Sequence, residues 1–89
     1  MTKNQGSKRQ LIHRIAGIEG HVGSLKKMIA EDRTSVEILM QISAIRAAME
    51  RLSHVIFEEY VEGALQQIDS NDERAAAVAD IRAAIGTLR

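Results

Sequence analysis

The stretch that decides the fold is Thr34-Ser-Val-Glu-Ile-Leu-Met-Gln-Ile-Ser-Ala-Ile-Arg-Ala-Ala-Met49. Its large apolar residues recur at alternating steps of four and three, and the series runs on beyond the stretch: Ile38, Ile42, Ile45, Met49, Leu52 and Ile56. This spacing gives a helix one apolar seam sustained over several heptads. The run therefore predicts a long helix that packs against other helices.

Three hydroxyl residues mark helix starts, because each is followed three positions later by Glu or Gln. The pairs are Ser7 with Gln10, Thr34 with Glu37, and Ser70 with Glu73. Such capping boxes satisfy backbone N–H groups that a helix start leaves unpaired. They predict helices over residues 8–31, 35–67 and 71–87. Helices 1 and 3 carry apolar series of their own: Leu11, Ile15, Ile18, Val22, Leu25 and Ile29, then Val78, Ile81, Ile85 and Leu88.

The length of helix 2 predicts an oligomer. A helix over residues 35–67 is about 50 Å long, and two shorter helices cannot bury it on every side. A chain of 89 residues is also close to the size at which a lone core is marginal. We therefore expect an all-α, three-helix protomer that forms an antiparallel dimer with a four-helix-bundle core from helices 1 and 2. The domain is expected to cover residues 1–89, with residues 1–7 as a flexible basic tail.

Composition narrows the class of protein. The chain has no cysteine, which excludes disulfides and thiolate metal sites. Its polar N-terminus lacks the apolar segment of a signal peptide, and no apolar run reaches membrane-spanning length, so we expect a cytoplasmic protein without a membrane partner.

The charges are unevenly distributed although the net charge is zero. Residues 1–30 hold six basic groups and one acid, Glu19, whereas residues 34–89 hold five basic and nine acidic groups. This asymmetry favours an anionic partner at the N-terminal end. The alternative is that the two halves neutralise each other across a subunit contact.

Three glycines interrupt helix 1 at Gly17, Gly20 and Gly23. Each costs about 1 kcal/mol relative to alanine inside a helix. Such a cost suggests close approach of the helix backbone to helix 2 or to a ligand, and we favour close packing against helix 2.

Three motifs resemble the copper- and nickel-sensing repressor family, which is CsoR/RcnR-like and includes the formaldehyde-sensing FrmR branch. They are Arg14-Ile-Ala-Gly-Ile-Glu-Gly-His-Val-Gly, Glu31-Asp-Arg-Thr-Ser35 and Gln41-Ile-Ser-Ala-Ile-Arg-Ala-Ala48. The family patterns are R-x-x-R-I-E-G-Q-V-x-G, E-D-R-x-C and Q-I-S-A-V-R-A-A. The resemblance implies a DNA-binding repressor built as a dimer of dimers, a homotetramer.

The resemblance places a double-stranded DNA surface on helices 1 and 2. Its residues here are Lys8, Arg9, Arg14, His21, Arg46 and Arg51. Cations at such positions contact phosphates and make the affinity strongly salt-dependent. Gly17 and Gly23 replace family positions that are commonly basic, and His21 replaces a glutamine. His21 either contacts a phosphate or is an ordinary exposed histidine.

The resemblance also locates the family's sensing site, which joins a cysteine at the start of helix 2 to ligands lower on helix 2 of the other subunit. Those positions hold Ser35, Tyr60 and Ala64, which are unsuited to a soft metal. We therefore expect no metal and no cofactor. With Glu59, these residues would form a pocket for a small polar or anionic inducer, of unknown identity, or else a filled subunit contact.

No catalytic triad or phosphate-binding loop is present, so we do not expect an enzyme. His54, Glu58 and Glu62 have a spacing that can hold a metal, but such pairs are common on exposed helices. The first hypothesis is a DNA-binding repressor whose inducer is not a thiophilic metal. The alternative is a helical oligomeric scaffold, or a partner subunit, with weakened or lost DNA binding.

Overall fold

The computed structural model of the chain describes residues 5–88, and these fold into three helices. The helices are α1 (Gln5–Ala30), α2 (Ser35–Gln66) and α3 (Asn71–Thr87). The described residues contain no β-strand. The prediction of an all-α, three-helix protomer is confirmed.

The bounds of α2 and α3 agree with the prediction to within one residue, whereas α1 begins earlier than expected. Its first residue is Gln5, so Ser7 lies inside the first turn and the predicted capping box at Ser7 is wrong. Residues 5–7 contain no proline, and neither Gly6 nor the hydroxyl-to-glutamine spacing stops the helix. Residues 5–7 of the predicted tail therefore belong to α1, while residues 1–4 lie outside the described part.

A Schellman motif ends α1 before the turn into α2. The Arg33 N–H donates to the Met28 carbonyl at 3.0 Å, and the Asp32 N–H donates to the Ile29 carbonyl at 3.2 Å. Asp32 has a φ of 58°, the left-handed conformation that this motif requires and that Asp tolerates better than most residues. The chain thus reverses direction within four residues.

Side-chain caps begin α2 and α3, as predicted. The Glu37 N–H donates to Thr34 Oγ1 at 3.2 Å, and the Thr34 hydroxyl donates to Glu37 Oε1 at 3.0 Å. At α3, the Glu73 N–H donates to Ser70 Oγ at 3.1 Å, while Glu73 Oε2 accepts the Asp69 N–H at 2.8 Å. Each cap stabilises its helix by about 1 kcal/mol.

The described chain forms two compact units, an N-terminal unit of residues 5–52 and a C-terminal unit of residues 53–88. The first contains α1 and the beginning of α2, and the second contains the rest of α2 with α3. The buried residues are Ile18 and Leu52, with exposed fractions of 9% and 6%, and both belong to the N-terminal unit. A single domain over residues 1–89 stays a prediction.

Much of the predicted seam remains exposed in one chain. Leu11, Leu25 and Ile38 are half-buried, whereas other seam residues are exposed: Ile15, Val22, Ile29, Met49 and Ile56. Periodicity identified the apolar faces of the helices correctly. A single copy of the chain does not cover them.

Candidate functional site

The five predicted cationic contacts all lie in the N-terminal unit, and every one is exposed: Lys8, Arg9, Arg14, Arg46 and Arg51. Within residues 5–88 the one ion pair joins Arg33 to Glu37, so no carboxylate of the described part neutralises these five side chains. They are available to an anionic partner.

The cations are spread around their helices rather than aligned along one stripe. Arg46 and Arg51 are five positions apart, which turns them about 140° from each other around α2. Glu50 precedes Arg51 in the sequence and lies between the two directions. An anionic partner therefore meets a carboxylate as well as the two guanidinium groups on this part of α2.

A groove on α1 brings Arg9 and Arg14 together with His13, which was not among the predicted DNA-binding residues. Gly6, Arg9, Gln10, His13 and Arg14 line it. His13 is four positions from Arg9 and adjacent to Arg14, and residues four apart are neighbours on a helix surface. That spacing is the signal that could have added His13 to the predicted DNA-binding residues.

The three glycines of α1 do not pack closely against α2. A Cβ atom built at Gly17, Gly20 or Gly23 has no neighbouring atom within 4 Å. The prediction of close packing within the chain is wrong, because the glycine side of α1 faces open space. Close approach of a ligand, or of helix 2 of another protomer, remains for these positions.

His21 is tied to α2 through Gln41. The Gln41 side-chain amide donates to the His21 carbonyl at 3.2 Å and lies 3.4 Å from the His21 Nδ1 atom. Since the amide nitrogen is a donor, a neutral imidazole accepts at Nδ1 and carries its proton on Nε2. Sequence reasoning singled out His21 but gave no reason to pair it with Gln41, twenty residues away.

The four predicted pocket residues are divided between the two units of the chain. Ser35 is the exposed first residue of α2 and belongs to the N-terminal unit. Glu59, Tyr60 and Ala64 are half-buried residues of the C-terminal unit.

Tyr60 and Ala64 line a cleft between α2 and α3 with a volume of about 490 Å³. Glu73 and Asp80 of α3 also line this cleft, and the sequence reasoning did not include them. Glu59 and Ser35 are not among its lining residues. Sequence alone could not bring α3 into the site, because the cleft depends on how two helices pack.

These positions do not fit a thiophilic metal ion. The chain has no cysteine, a tyrosine phenol is a poor ligand for soft metals, and alanine has no donor atom. Among residues 5–88 no three His, Asp or Glu side chains are close enough to share a metal ion. His54, Glu58 and Glu62 therefore do not form such a group.

The family model described as "Metal-sensitive transcriptional repressor" matches residues 7–88. The chain belongs to this family. The resemblance seen in the three sequence motifs is thereby confirmed.

Curated relatives and a solved structure agree with this assignment. The chain is 29% identical over 79 residues to the copper-sensing transcriptional repressor CsoR of Bacillus subtilis (strain 168), an alignment that covers 89% of this chain and 78% of that protein. It is 32% identical over 75 residues to the copper-sensing transcriptional repressor RicR of Mycobacterium tuberculosis (strain ATCC 25618 / H37Rv), covering 74% of this chain and 78% of RicR. The structure of the nickel-responsive transcriptional regulator InrS superposes with a TM-score of 0.87, at 25% identity and with complete coverage of both chains.

Membership of the repressor family also decides the class of activity. The family consists of transcriptional repressors rather than enzymes, so the expectation that the chain is not an enzyme is confirmed. No helix within residues 5–88 is both long and apolar enough to cross a membrane.

Proposed function

We propose that this metal-sensitive repressor family member is a DNA-binding transcriptional repressor whose inducer is not a thiophilic metal. The observation that carries the proposal is the set of five exposed cations in the N-terminal unit, none neutralised by a carboxylate of the described part. Phosphate contacts by such cations supply most of the affinity for duplex DNA. We place this repressor in the cytoplasm, where its sequence leads us to expect it.

The glycine side of α1 supports the same surface. Gly17, Gly20 and Gly23 lie on the helix that carries Arg9 and Arg14, and nothing in the chain occupies the space beside them. A helix without side chains at these positions lets a sugar–phosphate backbone come close to its own backbone. His21 Nε2, directed by Gln41, adds a hydrogen-bond donor for a phosphate oxygen.

The repressor is proposed to act as a homotetramer, a dimer of antiparallel four-helix-bundle dimers. The start of α2 supports this assembly, because Val36, Leu39 and Met40 are 67%, 63% and 67% exposed in one chain. Exposed apolar patches of this kind mark sites of protein association. In the antiparallel dimer, Ser35 of one protomer is expected to approach Tyr60 and Ala64 of its partner.

The inducer is proposed to be a small molecule held at the former metal position. Ser35, Tyr60 and Ala64 lack the thiolate and imidazole donors that soft metals require, whereas the cleft lined by Tyr60 and Ala64 has the volume of a small-molecule site.

The test is a salt titration of binding to the protein's own upstream promoter duplex, beside a scrambled duplex of the same length. We expect specific binding with a steep salt dependence. The double variant Arg14→Ala with Arg51→Ala should flatten the salt slope by about 0.9 for each phosphate that the variant no longer neutralises. The matched control is Arg74→Ala with Arg82→Ala, which removes two α3 cations and should leave the slope unchanged. An unchanged slope in the first variant contradicts the proposed surface.

One observation favours the alternative of a scaffold or partner subunit with lost DNA binding. Glu50 lies between Arg46 and Arg51, and a carboxylate there repels phosphates. Weak binding that is equal for both duplexes, from a folded oligomer, would support this alternative. Replacing Glu50 with glutamine should then strengthen binding to both duplexes equally.

A further inference from the structure

We infer that the cleft between α2 and α3 binds a linear aliphatic diamine, with one ammonium group near Glu73 and the other near Asp80. The cleft has a volume of about 490 Å³, within the range of small-molecule sites. Its described lining contains two carboxylates and no lysine, arginine or histidine. The lining therefore selects a cation, and it excludes the anionic ligand that the sequence reasoning allowed.

The spacing of the two carboxylates decides what kind of cation fits. Glu73 and Asp80 are seven residues apart on α3, so they lie on one face, about 10 Å apart along the helix axis. A single metal ion needs oxygen ligands within about 2.6 Å and cannot bridge this distance from the two positions. A ligand with two ammonium groups joined by a flexible chain can.

The surface between the carboxylates is apolar, as a methylene chain requires. Ala76 and Ala77 lie between Glu73 and Asp80 on α3, and Gly63 and Ala64 line the cleft on α2. Small side chains leave room for the chain of the diamine and remove apolar area from water when it binds. The two carboxylates of α3 thus match the two ammonium groups of the ligand, and the apolar surface between them matches its methylene chain.

The polar groups of the cleft are available to a ligand. Within residues 5–88 the Asp80 carboxylate and the Tyr60 hydroxyl have no hydrogen-bond partner. Glu73 uses Oε2 to accept the Asp69 N–H, which leaves Oε1 for an ammonium group. Tyr60 also lines the cleft, and its side chain is aromatic, a class that attracts cations.

The binding of the diamine stands apart from the proposed function, and only its role as inducer rests on that function. Tyr60 and Ala64 occupy the positions that resemble the family's sensing site. A diamine in this cleft is therefore placed to release the repressor from DNA, as the family's own ligand does.

The experiment is isothermal titration calorimetry of the full chain with putrescine, cadaverine and hexamethylenediamine, and with butylamine as the single-ammonium control. We expect saturable binding of the diamines, with an affinity for butylamine about two- to five-fold weaker, because butylamine forms only one ion pair and an exposed ion pair contributes modestly. Asp80→Asn should weaken diamine binding about two- to five-fold, because Asp80 is exposed, and leave butylamine binding less affected. Asp72→Asn, the same charge change on α3 outside the cleft, should have no effect.

Glu73→Gln serves as a second variant, because its amide oxygen can still accept the Asp69 N–H and keep α3 capped. It should weaken diamine binding as Asp80→Asn does. Equal affinity for diamines and butylamine, or equal weakening by Asp72→Asn, would overturn the inference and show attraction by overall charge only. Displacement of the diamine by equimolar magnesium ions would overturn it as well.

The two proposals fail separately. A chain that binds promoter DNA with the expected salt slope but binds no diamine overturns this inference and leaves the repressor intact. A chain that binds the diamine but binds no DNA overturns the proposed function and leaves the cleft assignment intact.

Discussion

The two units of the chain differ in charge and in burial. Residues 5–52 contain eight Lys and Arg and five Asp and Glu, whereas residues 53–88 contain two and seven. Both buried residues, Ile18 and Leu52, lie in the first unit, and no described residue of the second is buried. The N-terminal unit therefore combines the more buried packing with the exposed cations of the proposed DNA surface. The C-terminal unit offers an acidic cleft with half-exposed walls, the kind of region whose packing a ligand can change.

The largest expected effect comes from restoring the family's ligand set across the two units. Ser35→Cys alone should not create tight copper(I) binding, because Tyr60 and Ala64 do not supply the thiolate and imidazole donors that the ion also needs. The triple variant with Ser35→Cys, Tyr60→His and Ala64→Cys should raise the copper(I) affinity by several orders of magnitude, since thiolate and imidazole donors suit this ion. Competition with a coloured copper(I) chelator measures the copper(I) affinity of the single and of the triple variant.

Tight, stoichiometric copper(I) uptake by Ser35→Cys alone would contradict the assignment of these three positions. The triple variant also tests the assembly, since the proposed site joins Ser35 of one protomer to Tyr60 and Ala64 of its partner. A site that forms only in the oligomer should lose its metal when the protein is diluted below the dissociation constant of the dimer.

The next largest effect tests whether the packing that stabilises one chain is concentrated in the N-terminal unit. Leu52→Ala should lower the free energy of unfolding by about 2–5 kcal/mol, because it empties the most buried position. Urea denaturation at fixed protein concentration measures this loss. Leu39→Ala is the matched substitution on the same helix, and it should chiefly weaken association, as measured by sedimentation velocity.

A loss below about 1 kcal/mol for Leu52→Ala would show that packing is not concentrated in the N-terminal unit. If Leu39→Ala leaves the oligomeric state unchanged at all concentrations, the start of α2 is not a subunit contact. The two variants thus separate packing within a chain from packing between chains.

Helix ends were predictable where a side chain determines them. Thr34 and Ser70 cap α2 and α3 through hydrogen bonds that the sequence pattern specifies. Ser7 has the same pattern but lies inside α1, because a pattern four residues long cannot show whether the helix has already begun.

The candidate site was only partly predictable, because much of it depends on packing between helices. The exposed cations could be read from the family motifs. Glu73 and Asp80 could not, since nothing in the sequence of α3 shows that it faces Tyr60. The glycines of α1 led to a wrong prediction of packing within the chain. A glycine that destabilises a helix indicates close approach of another group, but it does not show whether that group belongs to the same chain.

A smaller effect compares the same kind of cap in the two units. Thr34→Ala and Ser70→Ala should each lower helix stability by about 1 kcal/mol, because each removes the hydroxyl that accepts a backbone N–H. Hydrogen exchange should show faster exchange in the first turn of α2 for the first variant and throughout α3 for the second. Ser43→Ala, inside α2, is the control and should change neither. If α3 exchanges no faster in Ser70→Ala than in the unaltered protein, the C-terminal unit is not the less stable of the two units.

The smallest effect is the acid sensitivity of the α1–α2 turn. Hydrogen bonds from Arg33, and then from Thr34, lower the pKa of the Glu37 carboxyl below its ordinary value of 4.5. Because the folded pKa is depressed, the stabilisation is present above 4.5 and is lost as the pH falls through the lower folded value. Glu37→Gln should therefore flatten the dependence of unfolding free energy on pH in this acidic window, as measured by urea denaturation across a pH series. Glu50→Gln, on the same helix and without an ion pair in the described part, should leave this dependence unchanged. An equal change in both variants would mean that acid acts on the overall charge of the N-terminal unit rather than on the Arg33–Glu37 contact.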